Sequence, residues 1–218
     1  MIPEKGPLAR LWGLDPNTVF LNHGSFGAVP IAVREEQDRI RNEMEEDPVY
    51  FVERRMKNLW EESIMGLSRF LNADPEGMAF VTNATMGVNT VLRSLKLSPG
   101  DEIIVPDHAY QACKNAIDFV TVRSGARTVI VHVPFRMDDE SEIIEPILSA
   151  VTSRTVLAMI DTVSSPTGVR MPFESLVHLL QNRGVDVLVD AAHGPGIVPL
   201  NISKLNPAYI TGNCHKWM

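Results

Sequence analysis

The sequence of 218 residues contains few cysteines and no long hydrophobic run. Its two cysteines, Cys113 and Cys214, cannot build a disulfide scaffold, which favours a reducing compartment. No apolar run approaches the roughly 20 residues that cross a bilayer. Residues 1–7 lack the apolar segment of a signal peptide. We therefore expect a cytoplasmic protein without a membrane partner.

Basic stretches are also missing. The formal net charge is -7, and the most densely charged region, residues 34–55, mixes both signs. A mixed run of this kind is typical of a solvated helix face rather than of a nucleic-acid surface. We expect no nucleic-acid partner.

Several common binding and catalytic motifs are absent. The chain has no Gly-x-Gly-x-x-Gly fingerprint, no phosphate-binding Gly-x-x-x-x-Gly-Lys-Ser/Thr loop and no Gly-x-Ser-x-Gly elbow. Its six histidines lack the spacing of metal ligands. Dinucleotide binding is therefore disfavoured, and we expect no metal site.

The first part of the chain reads as an irregular segment followed by helices. Residues 1–29 are rich in Gly and Pro, and Pro30 suits the first position of a helix. A second helical pattern ends near Leu71. Because the irregular segment gives way to a helical pattern at Pro30, we predict an N-terminal segment at 1–29 and a larger domain from residue 30 to 218.

From residue 78 onward, short apolar runs alternate with helical patterns. The runs predict six strands, at 78–82, 102–105, 127–133, 155–160, 185–189 and 208–210. Helices are predicted between them, at 86–95, 110–123, 141–151 and 173–183. Several strands are apolar throughout, as expected for a parallel sheet covered on both faces. The alternation favours an α/β fold with a mostly parallel, doubly wound sheet.

Polar residues follow most of these strands. In such sheets, ligands bind outside the carboxyl ends of the strands. The residues at these positions are Thr85, His108, Tyr110, Ser164, Ser165, Asp190, His193, Asn213, His215 and Lys216. Most have a plain structural alternative: Thr85 as a helix cap, His108 as a core histidine, Tyr110 as a packing residue, and the serines as turn residues.

Asp190 and Lys216 are harder to explain structurally. Asp190 directly follows the apolar run 185–189, where a carboxylate is costly to desolvate unless it is paired. Lys216 lies in a small polar loop after the next strand. A pyridoxal phosphate (PLP) site needs such residues, because the lysine forms the Schiff base and the carboxylate keeps the pyridine nitrogen protonated.

Six segments in this order resemble a known family. They are residues 21–27 (LNHGSFG), 47–49 (DPV), 82–85 (TNAT), 107–110 (DHAY), 189–193 (VDAAH) and 212–217 (GNCHKW). With these segments, the chain resembles the N-terminal half of class V aminotransferase-fold PLP enzymes, within them the isopenicillin N epimerase-like group. The resemblance implies the large domain of PLP-dependent transferase fold type I.

The resemblance also implies roles for individual residues. Lys216 would form the internal aldimine and move the substrate α-proton, and Asp190 would pair with the pyridine nitrogen. His193 would contact the ring hydroxyl, and His108 would stack on the ring, with Tyr110 as the alternative. The remaining implied positions are Ala84, Thr85, Asn213 and His215 at the phosphate, Ser165 near the cofactor, and His23, Gly24 and Ser25 at the substrate entrance.

The activity implied is PLP chemistry at the Cα of an amino-acid-type substrate, in a homodimer. Epimerisation is the first expectation, and C–S lyase, desulfurase-like or aminotransferase activity is the alternative. Family members are longer, with a C-terminal small domain that supplies an arginine for the substrate carboxylate, and with an antiparallel strand between the first and sixth strands. A further hypothesis is therefore that this chain is an incomplete large domain, a truncated non-catalytic product.

Overall fold

The computed structural model describes residues 6–218. It divides into two compact units: one comprises residues up to Met78 together with His215–Met218, and the other comprises Ala79–Cys214. The domain boundary predicted at residue 30 stays a prediction. No helix within the described residues is long and apolar enough to cross a membrane.

The first unit is helical. Its elements are a 3-10 turn at Ala9–Leu11, α1 at Ile31–Glu46, α2 at Pro48–Tyr50, a π-helical turn at Phe51–Arg55, α3 at Met56–Leu71 and a second 3-10 turn at Pro75–Gly77. Both long helices confirm the sequence periodicity. Asp47 begins α2 by accepting a hydrogen bond from the Tyr50 N–H, and Asn72 ends α3 in the left-handed conformation.

The second unit is an α/β sheet. Its strands are β1 Glu102–Pro106, β2 Arg127–Val131, β3 Thr155–Asp161, β4 Asp186–Ala191 and β5 Tyr209–Gly212. Its helices are α4 Ala84–Ser94, α5 Gln111–Ser124, α6 Ser141–Ser149, α7 Phe173–Gln181 and α8 Ile202–Leu205, and α9 Cys214–Trp217 begins at its last residue. The strands lie in the order β2-β1-β3-β4-β5, and every pair is parallel. This confirms the predicted fold class.

Both faces of the sheet are buried, which explains the uninterrupted apolar strands. Alternate residues point to opposite faces. One face packs on α6 and α7 through residues such as Ile104, Ile160 and Val189. The other face packs on α4 and α5 and includes Met159 and Leu188.

One predicted strand is wrong. Residues 78–82 are not assigned as a strand among the described residues, and they lead directly into the Asn83 cap of α4. The segment has the apolar composition of a strand. A strand also needs a neighbour to complete its ladder, and β5 is the last strand on that side of the described sheet.

Glu102 is a buried charge at the amino end of the sheet. It is 1% exposed and accepts hydrogen bonds from the Thr152 hydroxyl at 2.6 Å, the Thr155 hydroxyl at 3.2 Å and the Arg127 guanidinium. The Thr152 hydrogen bond and Arg127 lower the pKa of this carboxyl, although burial opposes them. The carboxylate thus ties β1 to the starts of β2 and β3.

We predict that Glu102→Gln lowers the free energy of unfolding by about 2 kcal/mol at pH 7, because hydrogen bonds to a buried charge are lost. The native pKa lies below the unfolded value of 4.5, so this stabilisation exists above that pH and disappears as pH falls through the native pKa. In thermal melts from pH 7 to pH 3, the difference in melting temperature between the wild type and Glu102→Gln should become smaller as pH falls. Glu145→Gln, at an exposed position of α6, is the control. An equal gap at every pH would contradict this view.

Candidate active site

The start of α4 is fixed to the end of β5. The Ala84 N–H donates to Asn213 Oδ1 at 2.8 Å, and the Asn83 side chain accepts from the Met86 N–H at 2.9 Å. Ala84 and Asn213, for which the resemblance implies a place at the phosphate, are therefore hydrogen-bonded to each other. The structure keeps this helix end at the carboxyl edge of the sheet.

Gly87 permits this close approach. A Cβ atom added at Gly87 would lie 2.8 Å from the Thr211 Cβ and would overlap the Thr211 hydroxyl. Thr211 is buried at 9% exposure on β5. Only a residue without a side chain lets α4 lie this near to the strand.

Asp190 is the penultimate residue of β4 and is followed by the buried Ala191, whereas the sequence predicts it directly after a strand that ends at residue 189. Asp190 is 3% exposed, and its Oδ1 accepts a hydrogen bond from the Ala192 N–H at 2.9 Å. Its Oδ2 lies 3.4 Å from the Cys113 Sγ, which donates to it. These donors orient a carboxylate at the edge of the sheet.

Cys113 was not assigned a role from the sequence. It lies on α5, is fully buried, and faces Asp190. Burial and then the charge of Asp190 raise the pKa of the thiol far above its usual value, and a hydrogen bond from Thr85 only partly opposes this. The thiol is therefore neutral and serves as a donor, not as a nucleophile.

His108 follows β1 and is largely buried. Its Nδ1 is buried and has no hydrogen-bond partner within residues 6–218, and its Nε2 lies 3.9 Å from Asp107 Oδ1. The Ser164 hydroxyl donates to the His108 carbonyl at 3.0 Å and joins the loops after β1 and β3. An orphaned nitrogen at this edge is what a site for a polar ligand leaves open.

The other predicted residues of the second unit lie at the same edge but differ in exposure. Thr85 and His193 are partly buried, whereas Ser165 is exposed. Tyr110 immediately precedes α5 and is 46% exposed. The edge thus gathers the polar residues that follow β1, β3, β4 and β5.

The first unit holds the predicted entrance residues and the lysine. The His23 ring packs edge-on against Phe20, with centroids 4.8 Å apart, and its Nδ1 accepts from the Ala28 N–H at 3.4 Å. Gly24 is buried and Ser25 is exposed.

Gly27 joins this loop to the segment that carries Lys216. A Cβ at Gly27 would lie 2.8 Å from the His215 carbonyl oxygen and 3.4 Å from that of Lys216. His215 and Lys216 both belong to the short helix α9. The loop at 22–27 therefore packs on the backbone of the lysine segment.

These residues suit PLP, an aromatic group with a phosphate and a basic ring nitrogen. The second unit offers a buried carboxylate, an imidazole with an unpaired nitrogen and a helix start at one sheet edge. No cluster of three metal-ligating side chains occurs in the part of the chain that the structure describes.

The parallel α/β sheet has the fold of fold type I PLP-dependent proteins, to which its solved structural neighbours belong. The family model for class V aminotransferases matches residues 43–218, and the chain belongs to this family. The resemblance read from the sequence is thereby confirmed, and so is PLP as the cofactor of the family.

Two curated relatives differ in the activity that their names state. Isopenicillin N epimerase from Streptomyces clavuligerus is 32% identical over 94% of this chain and 52% of its own length. A probable chloroplastic L-cysteine desulfhydrase from Arabidopsis thaliana is 31% identical over 93% of this chain and 46% of its own. The chain thus spans about half the length of these relatives.

A solved structure shares the fold. A mutant of C-DES with glycine covalently linked to its PLP cofactor superimposes with a TM-score of 0.84 at 22% identity. The match covers 93% of this chain and 54% of that chain.

We predict that Gly87→Ala destabilises the chain by about 1–3 kcal/mol, because the new methyl group overpacks α4 against Thr211. Gly66→Ala in α3 is the matched control, since its Cβ meets no atom within 4 Å. Removing a helical glycine there should stabilise by roughly 0.5–1 kcal/mol. Urea denaturation measures both changes. A Gly87→Ala chain as stable as the wild type would show that α4 and β5 are not held as described.

Proposed function

We propose that this chain carries the PLP-binding part of an epimerase-like enzyme that acts at the Cα of an amino acid or an amino-acid-derived substrate. The observation that carries the proposal is Asp190, a buried carboxylate oriented by the Ala192 N–H and the Cys113 thiol at the carboxyl edge of the sheet. An anion with this burial is suited to pair with a protonated ring nitrogen.

The residues around Asp190 would hold the rest of the cofactor. His108 would cover the ring, and its unpaired Nδ1 gives it a donor or acceptor to offer. Thr85 and His215 would bind the phosphate, with Ala84 and Asn213 shaping the helix start that they share. His193 would contact the ring hydroxyl, and Ser165 would lie near the cofactor.

Lys216 is the proposed catalytic residue. Its amine would hold the cofactor covalently and would then accept the substrate α-proton. Epimerisation requires that a proton be returned to the opposite face of the Cα. PLP, when bound, supplies the electron sink that makes this proton acidic. His23, Gly24 and Ser25 would line the substrate entrance, in the loop that packs on the lysine segment through Gly27.

A C–S lyase is the second candidate, because the Arabidopsis relative named as a probable L-cysteine desulfhydrase matches over nearly the whole chain. Both candidates begin with removal of the α-proton, and they differ in whether a sulfur substituent then leaves. The homodimer and the cytoplasmic location stay predictions from the resemblance and the composition.

We predict that PLP added to the purified chain gives an absorption band at longer wavelength than that of free PLP, and that Lys216→Ala abolishes this band, because it requires the covalent bond to the lysine. Lys204→Ala, at an exposed position of α8, should leave the band unchanged. Spectrophotometric titration measures both. A band of equal size in the Lys216→Ala chain would refute the assignment, and no band in the wild type would support the non-catalytic product.

We predict that the PLP-loaded chain exchanges the α-hydrogen of an amino-acid substrate with solvent deuterium while the total amount of the substrate and its Cα epimer stays constant. Mass spectrometry of an amino-acid panel in D2O detects the exchange, and the Lys216→Ala chain is the blank. Release of sulfide from L-cysteine, with no exchange into recovered amino acids, would favour the lyase instead.

A further inference from the structure

Asp161 and Asp190 are two buried carboxyl groups on neighbouring strands. They are register partners of β3 and β4, and the Thr162 N–H donates to the Asp190 carbonyl at 2.9 Å. Their exposures are only 4% and 3%. Register partners on parallel strands project to the same face, here the face covered by α4 and α5. The two groups therefore lie side by side in the interior.

Their hydrogen bonding differs. Asp190 accepts from the Ala192 N–H and from the Cys113 thiol. Asp161 Oδ2 is buried and has no hydrogen-bond partner among the described residues. A buried carboxylate oxygen without a donor is costly, whereas a protonated acid avoids most of that cost.

The surrounding charges also favour a protonated Asp161 beside an ionised Asp190. Asp190 faces Asp161 from β4, and Cys113 and Lys114 face it from α5, while the first turn of α4 carries no titratable residue. Burial and then the charge of Asp190 raise the pKa of Asp161 well above its usual range, and Lys114 opposes this. Lys114 is engaged elsewhere, because its amine donates to the Asp107 carbonyl at 2.8 Å.

We propose that Asp161 is a positioning residue that keeps its proton at neutral pH, so that the single negative charge of the pair stays on Asp190. Two ionised carboxylates would compete for one cation, whereas a neutral neighbour leaves one anion at one place. This proposal depends on the proposed function in one respect only, the identity of the group that Asp190 binds. The location of the proton follows from the β3–β4 pairing itself.

Thermal melts of the chain without PLP, from pH 5 to pH 9, test the location of the proton. Wild-type stability should fall as pH rises, because the folded chain keeps a proton that the unfolded chain has lost. The side chain at position 161 of the Asp161→Asn variant cannot titrate. The melting temperature of Asp161→Asn relative to that of the wild type should therefore rise by roughly 3 to 5 °C per pH unit until Asp161 of the wild type ionises. Asp186→Asn, at the exposed start of β4, should show no such gain.

The proposal would be overturned if the melting temperature of Asp161→Asn relative to that of the wild type stayed constant or fell with rising pH. Should the variant not fold, infrared spectra of the wild type at pH 7.5 decide, since ordinary carboxyls are ionised there and a carboxylic-acid C=O band must remain. Absence of that band would overturn it.

PLP titration separates the positioning role from the proposed function. Asp161→Asn should bind PLP as the wild type does, and Asp190→Asn should not. A folded Asp161→Asn chain that loses PLP affinity would overturn the positioning role. Failure of the wild type itself to bind PLP would overturn the proposed function, and the melts would still judge the proton on Asp161.

Discussion

The second unit depends on the parallel pairing of β3 with β4. This register buries apolar residues on both faces of the sheet and then places Asp161 and Asp190 together at its carboxyl edge. The paired strands exclude water from this edge, and exclusion of water makes two like charges incompatible. The same hydrogen-bonded ladder thus stabilises the core and determines the electrostatics of the candidate site.

The tie between α4 and β5 depends on contacts between residues far apart in the chain. The Ala84 N–H reaches Asn213 across 129 positions, and Gly87 makes room for Thr211. In the first unit, the absence of a side chain at Gly27 likewise allows close contact with the backbone of His215. In each case a glycine lets a loop or helix approach a segment that carries proposed site residues. Placement of these residues therefore requires close backbone packing as well as the identity of the side chains.

Much of this arrangement could be predicted from the sequence, and the exceptions have physical reasons. Asp190 was predicted because a carboxylate directly after an uninterrupted apolar strand needs a partner. Asp161 also ends an apolar strand, but its importance depends on the β3–β4 register, which composition does not reveal. Cys113 lies in a helix whose inward side chains could meet any of several strands. Residues 78–82 have the composition of a strand but are not among the strands of the described sheet. Pairing, unlike periodicity, is a property of two segments.

The central claim is that Asp190 binds the pyridine nitrogen of PLP and keeps it protonated. Nitrogen-15 NMR of the chain loaded with PLP labelled at the ring nitrogen tests this most directly, because the chemical shift separates a pyridinium from a neutral pyridine. We expect the pyridinium shift throughout the neutral pH range. A neutral-pyridine shift in the wild type at neutral pH would contradict the claim.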